Sequence, residues 1–141
     1  MNCKKVAFYI RVGNKDDSSI NIQKEWLTTY CNDKKYEHYE FYIDNGYSGN
    51  NLERPAIQKL IQDAKDEKLS HCIVCKLDKL SRSTKDTLHI INDFFTPNGV
   101  NLVSINENLD TSTSLGKYII DTFTMANSTL RGKEICQKTK R

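Results

Sequence analysis

Short apolar runs alternate along the chain with longer stretches whose apolar residues recur every three or four positions. Val6-Ala7-Phe8-Tyr9-Ile10 reads as a first strand, and Ser19 is placed to cap a helix with Ile22, Trp26, Leu27 and Tyr30 as its apolar face. Tyr39-Glu40-Phe41-Tyr42-Ile43 alternates as a second strand, and residues 44–51 (Asp-Asn-Gly-Tyr-Ser-Gly-Asn-Asn) form the clearest loop. Pro55 suits a helix's first turn, with Ile57, Leu60, Ile61 and Ala64 as the buried stripe. A third strand is expected over 72–77, then a helix showing Leu88, Ile91, Phe94 and Phe95 that ends before Pro97-Asn98-Gly99. Residues 100–105 give a fourth strand, and from about Ser114 a long helical pattern runs through Leu115, Ile119, Phe123, Ala126 and Leu130 to the end. Strands alternating with helices predict an α/β fold: a mostly parallel open sheet of four to five strands, helices on both faces in three layers, and a long C-terminal helix.

Composition adds limits. With 141 residues the chain has the size of one domain, read as 1–141, with a core that needs no staples. No apolar run approaches a membrane span and the start has no signal-peptide core, so a cytoplasmic protein with no membrane contact is expected. The net charge of +3 is concentrated: residues 131–141 hold five cations against one carboxylate, a balance of +4 that leaves the rest of the chain at −1. A basic tail on a near-neutral body suits an arm tracking nucleic acid, and equally a solvated helix end. Five cysteines are scattered at 3, 31, 72, 75 and 136. Cys72 and Cys75, three apart on a strand, would face opposite sides of the sheet, so buried thiols are favoured over a zinc or redox pair. His38, His71 and His89 form no cluster in the sequence, and no metal or cofactor is expected.

The chemistry lies in Lys76-Leu77-Asp78-Lys79-Leu80-Ser81-Arg82, directly after the third strand. Open α/β sheets place ligands where strands deliver their C-terminal ends, and cations there suit a phosphodiester held through several oxygens. An arginine after Phe8-Tyr9-Ile10 on a buried strand likewise needs an anionic partner. Taken together, Tyr9-Ile10-Arg11-Val12, Ser19-Ile20-Asn21-Ile22-Gln23, the loop from Asp44 to Gly49 with Glu53-Arg54-Pro55, and the segment 76–82 resemble the serine site-specific recombinases, the resolvase and invertase family. Asp110-Thr111-Ser112-Thr113 with Gly116-Lys117 looks like the lead-in to that family's long dimerisation helix. The likeness is nearest to the large transposon- and phage-type branch.

The resemblance implies DNA as partner and attack by a serine on a phosphodiester, giving a 5′-phosphoserine link. It also implies a homodimer that becomes a tetramer in the synaptic complex, no cofactor and no small-molecule substrate. It assigns Arg11 and Arg82 to the scissile phosphate and Asp78 to the leaving oxygen or to orienting an arginine. Tyr9, Gln23, Asp44, Arg54 and Lys76 become binding or supporting residues, and Arg131 matches the arginine of the long helix. Taken singly, Gln23, Asp44 and Arg54 look like surface polar residues, and Gly46 and Gly49 like plain turn residues.

Three positions depart from the family pattern. The nucleophile position is Gly13, the usual arginine after the aspartate is Lys79, and the glutamate before the helix arginine is Leu130. Ser18 and Ser19 lie too far along, where capping explains them, and Ser48 and Ser81 match no nucleophile. Natural degeneracy, which the changes at 79 and 130 favour, a deliberate inactivating substitution, or takeover of the attack by another group would each account for Gly13. The leading reading is a recombinase catalytic domain whose own competence is in question, with its DNA-reading module elsewhere. The alternatives are a non-catalytic DNA-associated or oligomerisation module on the same fold, and an unrelated anion- or nucleotide-binding domain, which would lack a Gly-rich strand-to-helix loop.

Overall fold

The computed structural model describes residues 4–126, so the expectations for Arg131, Leu130, Cys3, Cys136 and the basic tail lie outside the described residues. Five strands, β1 (Lys5–Val12), β2 (Tyr39–Asn45), β3 (Leu69–Val74), β4 (Asn101–Ser104) and β5 (Leu109–Asp110), form one sheet in the order β2-β1-β3-β4-β5. The first four are parallel, and β5 turns back antiparallel on β4. The connection from β2 to β3 crosses over β1, so consecutive strands lie on opposite sides of the central strand. The crevice at the C-terminal ends of β1 and β3 is therefore the switch point where such sheets accept ligands.

Helix α1 (Asp17–Lys34) covers one face, where Ile20, Leu27 and Cys31 pack on Val6, Phe8, Ile10, Ile73 and Val103. On the other face lie α2 (Pro55–Lys65), α4 (Thr84–His89) and α5 (114–126), around Ala7, Tyr9, Cys72, Val74 and Leu102. Strand alternation thus sends Cys72 to one layer and Cys75 to the other, as expected. Among the described residues no helix is long and apolar enough to cross a membrane.

Several boundaries differ from the expectations, each for a local reason. The cap of α1 is Asp16, not Ser19: its carboxylate accepts from the Ser19 amide at 3.2 Å, and Asn45 bonds to both the Asp16 amide and the Asp17 carboxylate. The buried stripe of α1 is Ile20, Gln23, Leu27 and Cys31, so Ile22 and Trp26 face outward, because Gln23 occupies a slot the apolar pattern left vacant. Strand β3 starts three residues early and ends at Val74; Lys76 is extended, and Leu77–Leu80 form a single helical turn, α3. Past His89 the helix widens into a π-helical stretch, Ile90–Phe95, which buries Ile90, Ile91 and Phe95 and leaves Phe94 half-buried. In α5 the buried positions are Gly116 and Ile120, while Leu115 and Phe123 are exposed together with Tyr118 and Met125. A Cβ at Gly116 would lie 1.9 Å from the Asp110 carbonyl oxygen, so this close approach fixes which side of α5 meets the sheet.

Replacing Asp16 with Ala should lower stability by about 1 kcal/mol, whereas Ser19→Ala should stay within about 0.5 kcal/mol, as measured by urea unfolding.

Candidate nucleic-acid site at the switch point

Because side chains alternate along β1, Tyr9 and Arg11 share the face that looks toward α2 and the 77–82 segment. The Arg11 guanidinium is buried at 2% residue exposure. It donates to three main-chain carbonyls: Tyr47 at 3.2 Å, Asp78 at 2.6 Å and Lys79 at 3.1 Å. Two of its five N–H groups are left to other acceptors. Burial, and then the neighbouring Arg54, hold its pKa below the ordinary arginine value, with Arg82 acting in the same direction.

Gly13 is exposed on the loop just beyond β1. A Cβ there would sit 3.9 Å from Arg11 Nη1, the one described atom within 4 Å outside its chain neighbours. The position points a would-be side chain into open space beside a guanidinium.

Gly49 has the opposite environment. A Cβ would lie 2.8 Å from Arg11 Cζ and 3.0 Å from Arg82 Cγ. The glycine is buried, and its carbonyl accepts from the Arg82 amide and the Ser81 hydroxyl. It is not a plain turn residue: it lets the 44–51 loop close onto both arginines. Gly46, at φ +88°, turns the same loop so that its amide and that of Tyr47 bond to the Val12 carbonyl.

Beneath these lies a buried polar network. The Tyr9 hydroxyl donates to Asp44 Oδ2 at 2.6 Å and accepts from Arg54 Nη1 at 2.7 Å. Arg54 also donates to the carbonyls of Asn51 and Leu80, and Asp44 accepts from the Ala56 and Ile57 amides at the start of α2. Asp44 and Arg54 are each 1% exposed, which corrects their reading as surface polar residues. Asp44 belongs to β2, not to the loop, and its charge meets the positive end of α2. Burial raises the Tyr9 hydroxyl far above the usual tyrosine range, with Arg54 opposing and Asp44 reinforcing the shift. Gln23 supports the strand itself, donating from Nε2 to the Arg11 carbonyl at 3.2 Å, while its Oε1 is buried without a protein partner among the described residues.

The remaining expected residues divide by position. Asp78 and Arg82 are exposed and border a cleft of about 680 Å³ between the 77–88 segment and α5, which Glu107, Leu88 and Phe123 also line. Lys76 is exposed at the start of α3, and half-buried Lys79 meets Arg11 through its carbonyl. Arg11 and Arg82 thus meet at Gly49, while Asp78 touches Arg11 through the main chain and turns its carboxylate outward. Sequence reasoning missed Tyr47, Leu80 and Asn51, whose contributions are main-chain carbonyls that no side-chain pattern advertises.

The family model described as "Resolvase, N terminal domain" matches residues 6–141. The resolvase of transposon Tn917 from Enterococcus faecalis is 32% identical over 110 residues, covering 78% of this chain and 54% of the relative. The chain therefore spans about half the length of that protein. The crystal structure of the N-terminal catalytic domain of TP901-1 integrase superposes with a TM-score of 0.87 at 38% identity, covering 93% of this chain and 99% of that one. A resolvase family site-specific recombinase from Streptococcus pneumoniae gives a TM-score of 0.73 at 26% identity, covering 98% and 95%.

Gly49→Ala should destabilise the fold by about 1–3 kcal/mol, because the guanidinium it would strike is pinned by three carbonyls; thermal unfolding would measure it. Tyr9 and Tyr42 both have raised pKa values through burial, so they keep protons that the unfolded chain releases. Their contribution is complete below the ordinary tyrosine value of about 10 and declines as pH rises above it. Tyr9→Phe should flatten that alkaline loss in urea titrations at successive pH values.

Proposed function

The chain belongs to the resolvase N-terminal-domain family, the catalytic domains of serine recombinases, and from that premise we propose that it carries a DNA-cleavage scaffold from which the attacking hydroxyl is missing. The observation behind this reading is the position of Gly13: the side-chain direction at the end of β1 is open and lies 3.9 Å from Arg11 Nη1. A serine hydroxyl placed there would attack a diester phosphorus next to fixed guanidinium donors. Those donors would stabilise the negative charge that builds on the non-bridging oxygens. Arg82 and Lys76, exposed at the same end of the sheet, would hold the phosphate from the solvent side, and Asp78 would serve the leaving oxygen. Lys79 supplies charge without the two-pronged geometry of arginine. Tyr9, Asp44, Arg54 and Gln23 would support Arg11 from beneath and not touch DNA, which their burial favours.

A second reading, a regulatory partner that joins DNA assemblies without cutting, is favoured by a separate observation. Leu115, Tyr118, Phe123 and Met125 leave α5 with exposed apolar surface, which suits pairing with another recombinase-type chain. The domain would then be a homodimer, or a mixed dimer with an active relative, assembling toward a tetramer on two DNA sites.

One experiment separates the readings. Full-length protein and its Gly13→Ser variant are incubated with supercoiled plasmid carrying the DNA around the coding locus, and detergent-stable protein–DNA adducts are scored. The scaffold reading expects no adduct from the chain with Gly13 and an adduct from Gly13→Ser. An adduct from the chain with Gly13 overturns the missing-nucleophile claim. No adduct from either, with salt-sensitive DNA binding retained, supports the regulatory reading, and loss of DNA binding as well sinks both.

A further inference from the structure

We propose that Glu107 is a positioning residue of this site, capping from a distance the helical turn on which Arg11 and Arg54 are hung. The catalytic meaning of the proposal rests on the recombinase reading above; its geometry does not.

A helix of four residues has little stability of its own, since nucleating a turn fixes several dihedrals for one hydrogen bond. Turn α3 also lacks a local cap, because Lys76 at its N-cap has a side chain with no acceptor. The vacancy is filled from another segment. The Leu77 amide points between both oxygens of Glu107, at 3.3 and 3.4 Å. That carboxylate is oriented in turn by the hydroxyl of Ser104, a fully buried residue ending β4. The loop bearing Glu107 is tied to the same crevice, since the Ile105 and Asn106 amides bond to the carbonyls of Val74 and Cys75 at the end of β3.

The opposite pole of α3 meets the arginines. The carbonyls of Asp78 and Lys79 take two of the three Arg11 hydrogen bonds, and that of Leu80 takes one from Arg54. A carboxylate at the amide end and two guanidiniums at the carbonyl end both match the polarity of the turn. Glu107 therefore reaches Arg11 through one helical turn without touching it. It also borders the cleft that Asp78 and Arg82 line.

Proton exchange measured by NMR on the chain with Gly13 tests this without any requirement for catalysis. Glu107→Ala should speed exchange at the Leu77 amide and at Arg11 Nε–H by about tenfold, as expected for loss of a hydrogen-bond acceptor. Amides within β1 and β3 should be unchanged. Glu107→Gln keeps an acceptor at the same reach and should restore most of the protection, which also covers the case in which the alanine variant does not fold. Unchanged exchange at Arg11 Nε–H in Glu107→Ala overturns the proposal. So does uniform acceleration across the core in both variants, which would make Glu107 a contributor to global stability only. In the Gly13→Ser background, Glu107→Ala should lower the adduct yield about tenfold with DNA affinity retained. If Gly13→Ser alone forms no adduct, the recombinase reading fails while the exchange result still decides the role of Glu107.

Discussion

Burying a guanidinium at the end of a central strand is unfavourable unless its donors find acceptors, because the charge gives up water and receives little in return from an apolar core. In this protein the donors of Arg11 meet the carbonyls of Tyr47, Asp78 and Lys79, which come from the 44–51 loop and the helical turn α3 on either side of the crevice. The arginine is thus the point at which the 44–51 loop and the 77–82 segment are joined. Gly49 makes the junction possible by leaving room for the guanidinium, and the segment that carries Arg82 closes over it. The same interaction fixes the chain ends of β1 and β3 relative to each other, and so defines the shape of the switch-point crevice.

The polar layer below repeats the solution with more components. Arg54 and Asp44 are compensated across the Tyr9 hydroxyl, and each has further main-chain partners, so neither charge is left unsatisfied. Partly satisfied networks of this kind are costly, whereas complete ones enforce a single arrangement. Here the arrangement ties β1, β2, the start of α2 and α3 into one rigid block. Such a block holds the Arg11 donors in place before any ligand arrives, which is the preorganisation that electrostatic stabilisation requires.

That frame is built without any side chain at position 13. Among the described residues only Arg11 Nη1, at 3.9 Å, comes within 4 Å of a Cβ placed at Gly13, so the described fold has room for another small residue there. The network that shapes the crevice lies inside the domain, and Gly13 lies exposed on its rim.

The alternation of apolar runs and helical stripes was enough to specify an α/β sheet with helices on both faces, because burial on one or both sides imposes its period directly on the sequence. The blocks around Arg11, Gly49, Arg54 and Asp78 were likewise readable, since charged and turn-forming residues stand out against that period. The tertiary structure decided what a linear pattern cannot encode. It turned α1 so that Gln23 is buried and Trp26 is not, moved Asp44 and Arg54 from the surface to the core, and gave Gly49 a steric role. It also assigned the holding of Arg11 to main-chain carbonyls. Those carbonyls are present at every residue, so their selection depends on loop geometry and leaves no mark in the amino-acid sequence.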